Sequence, residues 1–188
     1  MGMSHPDPIY HTADMVRALI DESHAWPRYE TVYGELLVSP APRVRHERVT
    51  MALAAKLWQY LEREPVAEVM RSPADISWGR ADVLVQPDVF VIPVGLASAD
   101  GWVAVRHLLL AAETLSPSTA RHDRFTKRRL YQQQGVPLYW IVDADARHVE
   151  VWTPADDFPR FERERLAWHP DGAATPFTLD LAALFRDG

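Results

Sequence analysis

The 188-residue chain contains no cysteine, which excludes disulfides and thiolate metal sites, so any metal must be held by oxygen or imidazole. That narrows the candidates to magnesium, manganese or a histidine site. No run of about 18 apolar residues is present to cross a bilayer. The opening Met1-Gly-Met-Ser-His-Pro-Asp-Pro8 lacks the basic start and apolar core of a signal peptide. A cytoplasmic protein without membrane contact is expected. Internal repeats and low-complexity segments are absent, and so is any cationic excess: the formal net charge is -6. Such a chain does not coat itself in nucleic acid, because phosphate binding is driven chiefly by Lys and Arg. Basic residues do cluster locally, at Arg43, Arg45 and Arg48 and again at Arg121, Arg124, Lys127, Arg128 and Arg129. Each cluster reads first as a solvated helix face, with a local phosphate footprint as the alternative.

What is present suits one globular domain spanning residues 1–188, with 47% hydrophobic and 24% charged residues, enough to build a buried core. Apolar spacing predicts a short helix from Thr12 to Asp21, capped by Thr12, with Met15, Leu19 and Ile20 as its apolar positions. A hairpin follows over Tyr29–Ser39, turning at Tyr33-Gly34, then a loop of prolines and arginines, then a long helix from His46 to about Glu62. Short strands are expected at Ala67–Arg71 and Asp75–Trp78. A continuous strand is expected over Val83–Ile92, a Gly-containing connection over Val94–Val103, and a second strand from Leu108 through Leu115. Ser118 or Thr119 can cap a helix running to about Gln134, which Gly135-Val-Pro stops. Strands at Leu138–Val142, His148–Trp152 and Phe161–Trp168 and a terminal helix at Leu179–Phe185 complete the chain. This order predicts an α/β fold with a mixed central sheet flanked by helices.

Two acids stand out because they interrupt apolar strands: Asp88 in Gln86-Pro-Asp-Val and Glu113 in Leu108-Leu-Leu-Ala-Ala-Glu-Thr-Leu115. Carboxylates about 4 Å apart at an effective dielectric near 20 repel by roughly 4 kcal/mol, so a close buried pair needs a cation, a shared proton or separation. Magnesium would resolve the conflict with one or two carboxylates, water and phosphate oxygens. The plain alternative is a turn at Pro87-Asp88 and an arginine partner for Glu113. From Glu113 to Ser116 a strand descends about 10 Å, and a helix from Ser118 climbs back about 13 Å by its ninth residue, which returns Lys127 level with Glu113. A lysine there can stabilise charge developing on a phosphoryl group or orient a water; otherwise it pairs with Asp123 one turn back. Tyr131 lies on the same face as core or site wall. Glu35 reads either as a further carboxylate or as an exposed hairpin residue, and His46 either as a phosphate or water contact or as packing at a helix start. His46-Glu-Arg-Val-Thr50 lacks the second histidine of a zinc-protease motif.

The segment Glu113-Thr-Leu-Ser-Pro-Ser-Thr119, followed by Asp123, Lys127, Tyr131 and Gly135-Val-Pro-Leu-Tyr-Trp-Ile-Val-Asp143, resembles the Uma-two family of restriction endonucleases, within the PD-(D/E)XK nuclease superfamily. Gln86-Pro-Asp-Val matches that family's first metal-binding strand. Arg28-Tyr-Glu-Thr-Val-Tyr-Gly-Glu-Leu36, Ser39-Pro and His46 are similar to its N-terminal part, so the likeness covers about residues 28–152. The resemblance implies a restriction-endonuclease-like fold, magnesium (with manganese able to substitute) on Asp88, Glu113 and the Thr114 carbonyl, Lys127 assisting the transition state, and cleavage of DNA by a homodimer. The superfamily's usual lysine, two residues after the acid, is here Leu115, so Lys127 would substitute from the following helix. The alternative is a catalytically silent nuclease-fold module that pairs or binds nucleic acid. A hydrolase of RNA or of a smaller phosphoester would use the same site.

Overall fold

The computed structural model describes residues 9–23, 26–96, 101–102 and 105–186. Eleven strands and four α-helices follow in the order α1 (Ala13–Ser23), β1 (Arg28–Val32), β2 (Glu35–Ser39), α2 (Val44–Leu61), β3 (Ala67–Arg71), β4 (Val83–Leu84), β5 (Val89–Pro93) and β6 (Leu110–Thr114). A π-helical segment, His122–Lys127, then runs directly into α3 (Arg128–Gln133), followed by β7 (Tyr139–Asp143), β8 (His148–Trp152), β9 (Arg160–Glu162), β10 (Arg165–Trp168), β11 (Phe177–Asp180) and α4 (Leu181–Leu184). The central sheet has six strands in the order β3-β5-β6-β7-β8-β9, and β6 with β7 is its parallel pair. The expected α/β architecture with a mixed sheet is therefore present. A parallel pair needs a crossover. Here the crossover is the π segment and α3, which carries the chain back past the end of β6.

Period-2 alternation loads both faces of this sheet. Val89, Val91, Leu110, Ala112, Trp140 and Val142 face α2, whose Val49, Leu53 and Leu57 are buried against them, with the β10–β11 hairpin and α4 filling the end of that layer. Their neighbours Phe90, Ile92, Ala111, Tyr139 and Ile141 turn the other way, to meet α3 and the small sheet β2-β1-β4. The β1–β2 hairpin turns at Tyr33 and Gly34, both at positive φ (53° and 83°), as a two-residue hairpin matching the strand twist requires. Gly135, at φ 68°, ends α3, and the amide of Val136 reaches back to the carbonyl of Tyr131. Thr12 caps α1, its Oγ1 accepting the Met15 amide at 3.2 Å.

Several boundaries differ from the sequence reading, each for a local reason. Val83–Ile92 is two strands in two sheets. Pro87 has no N–H to give a ladder, the Gln86 amide goes to the Glu30 carboxylate at 2.7 Å, and the Ser72 hydroxyl takes the carbonyls of Gln86 and Pro87, both at 3.0 Å. Asp88 consequently sits at the break before β5. Asp75–Trp78 contributes only a bridge between Ile76 and Val85. Helix α2 begins at Val44, so Arg45 belongs to it rather than to the loop, and in α1 it is Ala13 and Val16 that are buried while Met15 is exposed. Phe161–Trp168 breaks into β9 and β10, and β11 was not foreseen. It occupies Leu179, so α4 starts only at Leu181, where Asp180 Oδ1 accepts the Ala182 amide at 2.8 Å. The helix expected over residues 118–134 is π-wound over His122–Lys127, and the Arg128 amide bonds the Asp123 carbonyl five residues back. The Val94–Val103 connection falls partly outside the described residues, as does the opening octapeptide. Among the described residues no helix is long and apolar enough to cross a membrane.

The end of α2 is tied to the C-terminal hairpin by Glu64, which accepts the Ala174 amide at 2.8 Å, the Thr175 amide at 3.1 Å and the Thr175 hydroxyl at 2.6 Å. The Thr175 hydroxyl, followed by the Ala174 amide, holds this carboxyl below its ordinary value. A carboxyl whose pKa is lower folded than unfolded stabilises above the unfolded value, near 4.3, and loses that contribution as pH falls through the folded value. Glu64→Ala is therefore expected to lower the melting temperature at neutral pH, with the gap to the parent protein closing below about pH 4 in thermal scans.

Candidate active site

The break at Pro87 places Asp88 beside the C-terminal end of β6, where Glu113 and Thr114 lie. Asp88 Oδ2 accepts the Thr114 amide at 2.9 Å, and the Asp88 amide points at Glu113 Oε2 at 3.4 Å, so each acid is aimed by the other's strand. Arg28 and His46 hold Asp88 from the solvent side: Arg28 Nη1 of β1 lies 2.9 Å from Oδ1, and His46 Nε2 of α2 lies 3.2 Å from Oδ2. The crossover brings Lys127 back, as the rise arithmetic predicts, and its Nζ is 3.0 Å from Glu113 Oε1. Tyr131, one turn further, donates its hydroxyl to the same oxygen at 3.0 Å. It is fully buried in the core and is not among the pocket's lining residues, so it meets the site only through this hydrogen bond.

The sequence reading did not single out Glu30, Arg28 or the second face of Lys127. Nζ lies 2.8 Å from Glu30 Oε2 of β1 and 3.7 Å from Asp123 Oδ1, so one ammonium stands among three buried carboxylates. Arg28 and Glu30 are two apart in a strand and must share a face; an Arg-x-Glu pair entering a hairpin was the available signal. The Tyr139 hydroxyl donates to the Asp123 carbonyl at 3.0 Å, within the π segment. Inserted hydrogen bonds of this kind accompany widened helical turns. Glu35 is exposed at the hairpin turn, paired across to Val32, and does not reach the site. Leu115 packs at the margin of the core beneath the small sheet, so the superfamily's usual lysine position is spent on packing here. The second basic cluster is largely committed as well, Arg124 to Asp143 and Glu150 and Arg128 over the Trp152 ring.

These groups line a pocket of about 230 Å³, completed by Trp26, Ser39–Arg43 and Ser116–Thr119. Four carboxylates (Glu30, Asp88, Glu113, Asp123) face three permanent cations (Arg28, Arg43, Lys127) and one histidine, and the groups divide accordingly. Burial opposes ionisation of Asp88, but the His46 hydrogen bond, then the charges of His46 and Arg28, outweigh it and hold the carboxyl well below its usual range. Burial raises Glu113, Lys127 offsets part of that, and Asp88, Asp123 and Glu30 add to it, leaving the carboxyl well above its usual range. Asp123 is pushed up to about 6 by burial, against the pull of Lys127. Burial works against the Lys127 ammonium, yet Glu113, Glu30 and Asp123 together raise its pKa above the ordinary lysine value, so it stays protonated. The pocket's acidic groups thus outnumber its permanent cations by one, and burial raises two of them.

Oxygen donors of this kind suit a hard divalent ion. No three His, Asp or Glu side chains among the described residues close around one point as a metal cage. The fit is to a two-carboxylate site. Glu113 Oε2 receives only the long Asp88 amide contact, and Asp88 Oδ1 only Arg28, so each keeps acceptor capacity toward the pocket. Thr114 lines the pocket as well, and its hydroxyl accepts from Thr50 Oγ1 of α2 at 2.8 Å.

The family model described as "Uma2: Putative restriction endonuclease" matches residues 14–181. Among solved structures the chain is similar to "a putative nuclease belonging to DUF820" from Anabaena variabilis, with TM-score 0.69 and 21% identity over 85% of this chain and 90% of that one. That likeness concerns the fold, and it agrees with the restriction-endonuclease-like expectation. No curated protein matches.

Removal of the Lys127 charge leaves three buried acids facing one another. Lys127→Met is expected to cost about 3–5 kcal/mol in urea unfolding, the range for breaking a buried ion pair from one side. Lys127→Arg, which keeps the charge, should lose much less.

Proposed function

We propose, given that this chain belongs to the Uma2 family, that it is a single nuclease domain hydrolysing phosphodiester bonds in DNA, dependent on magnesium and able to use manganese. The observation that carries this reading is the convergence of Asp88 and Glu113 at a strand break, with Lys127 3.0 Å from Glu113, in a pocket whose acids outnumber its cations. Asp88, Glu113 and the Thr114 carbonyl would hold the metal. When bound, it would polarise the phosphate and lower the pKa of the attacking water.

The protein's own groups define the rest. Lys127, kept protonated by three acids, cannot serve as a general base. Its role is to offset part of the burial that raises Glu113 and to face negative charge developing on the phosphoryl oxygens. Tyr131, whose hydroxyl is pushed well up by burial and then by Glu113, remains a donor and fixes the Glu113 carboxylate. Arg28 and His46 stand on the solvent side of Asp88, where an entering phosphate would meet them, and Arg43 lies on the pocket wall next to them. A protein with net charge -6 has to hold DNA through such local cations. Cleavage of both strands would take two copies, hence a homodimer.

Purified protein with magnesium is expected to nick or linearise supercoiled plasmid, and a chelator should abolish cleavage. Asp88→Ala and Glu113→Ala should each reduce the rate about 100-fold or more, and Lys127→Ala by a comparable factor. Full activity in both acid variants would sink the assignment. Absence of cleavage together with absence of Asp88-dependent magnesium binding in calorimetry would instead identify a silent nuclease-fold module. Parallel assays on RNA distinguish the substrate.

A further inference from the structure

Helix α2 turns one face to Asp88 through His46 and to the core through Val49, Leu53 and Leu57. Its opposite face carries Val44, Arg48, Met51, Ala55, Trp58 and Glu62, spaced by alternating fours and threes. At about 100° per residue they fall in a stripe about 80° wide. All six are exposed, and three are large apolar residues with 76% (Val44), 59% (Met51) and 56% (Trp58) of their surface in solvent. Beside the stripe runs a groove of about 450 Å³ whose walls include Ala54, Val69, Met70 and Trp102. A soluble protein does not commonly leave a Met-Trp ridge beside an apolar groove without a partner.

The stripe is complementary to itself. If two copies cross antiparallel with Ala55 at the two-fold axis, residue i meets the residue numbered near 110 minus i. Ala55 then faces Ala55, whose small side chain permits close approach. Met51 faces Trp58 of the second copy, which lies on the groove side of the helix and can enter the groove next to Met70. Arg48 faces Glu62. Neither Arg48 nor Glu62 is held in an ion pair among the described residues, and the antiparallel crossing brings opposite charges together at both ends, whereas a parallel pairing in register would set like against like. A closed isologous contact of this kind is what a two-fold dimer requires.

We propose that α2 is the homodimer interface of this protein, paired antiparallel through Met51, Ala55 and Trp58 and registered by Arg48 and Glu62. The contact is at the small end of specific interfaces, so association depends on concentration. It leaves both pockets open, because His46 lies on the far side of the helix, and sets the two His46 residues about 27 Å apart along the shared axis. The aromatic C-terminal strands present less apolar surface for such a contact: Trp168 and Phe177 are buried in their own chain's core, while Phe158 and Phe161 are exposed.

This proposal rests on the α2 surface rather than on the catalytic reading, and its readout is mass rather than cleavage. Sedimentation equilibrium of the full chain from about 1 to 200 μM, a range bracketing small interfaces, should show a monomer–dimer equilibrium. Arg48→Glu and Glu62→Arg should each weaken dimerisation about tenfold, and the double variant, with the charges exchanged, should restore it to within about threefold. Trp58→Ala should leave the protein monomeric with an unchanged circular dichroism spectrum. A monomer at every concentration, or a dimer indifferent to all of these substitutions, overturns the proposal.

Discussion

The arrangement turns on one ammonium group. Lys127 Nζ lies within 4 Å of carboxylates from β1, β6 and its own π-helical turn, and these belong to three separately built parts: the small sheet, the central sheet and the crossover. Without that charge, Glu30, Glu113 and Asp123 could share the pocket only by protonating or moving apart. With it, the small sheet is fastened to the central one at the point where Pro87 interrupts the chain passing between them. The Glu30 carboxylate completes the join by accepting the Gln86 amide that the interruption leaves without a strand partner.

Much of this was legible in the residues. The hairpin turn at Tyr33-Gly34, the helix after Pro42, the β6–helix–β7 unit and the return of Lys127 to Glu113 all follow from local periodicity and rise per residue, because each is decided within one continuous stretch of chain. What was not legible depended on distant partners. Residues 83–92 look like one strand because every apolar position in it is buried, yet the two halves bury themselves in different sheets. The division is enforced by Glu30 and Ser72, which lie 56 and 14 residues before Gln86. Glu30 itself looked like an ordinary strand residue, since nothing local shows that its outward face is covered by the crossover. In the C-terminal part, β11 was hidden because its apolar residues run on into α4 and the boundary is set by a single cap, Asp180.

The return of Lys127 also accounts for the irregular helix. Leu115 is drawn into packing beneath the small sheet, and the cation beside Glu113 comes from the element that returns over the end of β6. In that element Asp123 and Lys127 must both face inward, together with Tyr131 four residues later, and all three are buried. A regular α-helix drifts by about 40° over each four-residue step, so it would carry the third residue well off the line of the first. The wider π turn, with the Asp123 carbonyl taken by both the Arg128 amide and the Tyr139 hydroxyl, changes that drift where the three side chains converge. Widened turns are characteristically placed at functional sites.

Stability alone is a poor reason for such a cluster. Taking several charges out of water costs several kcal/mol per ion, and buried ion networks are often matched or bettered by apolar residues of similar volume. The space occupied by Glu30, Glu113, Asp123 and Lys127 lies between two sheets whose other facing residues are Val32, Leu37, Phe90, Ile92 and Ile141, so an apolar filling is available from the same surroundings. The groups are moreover unequal in number: with Asp88, Arg28 and Arg43 included, four acids face three permanent cations, and burial pushes Asp123 to about 6 and Glu113 well above its usual range. A purely structural network would be expected to relax such a mismatch by losing an acid. The imbalance makes sense where the missing positive charge arrives with a ligand, and the opening of this pocket past Arg28, His46 and Arg43 is where that ligand would enter.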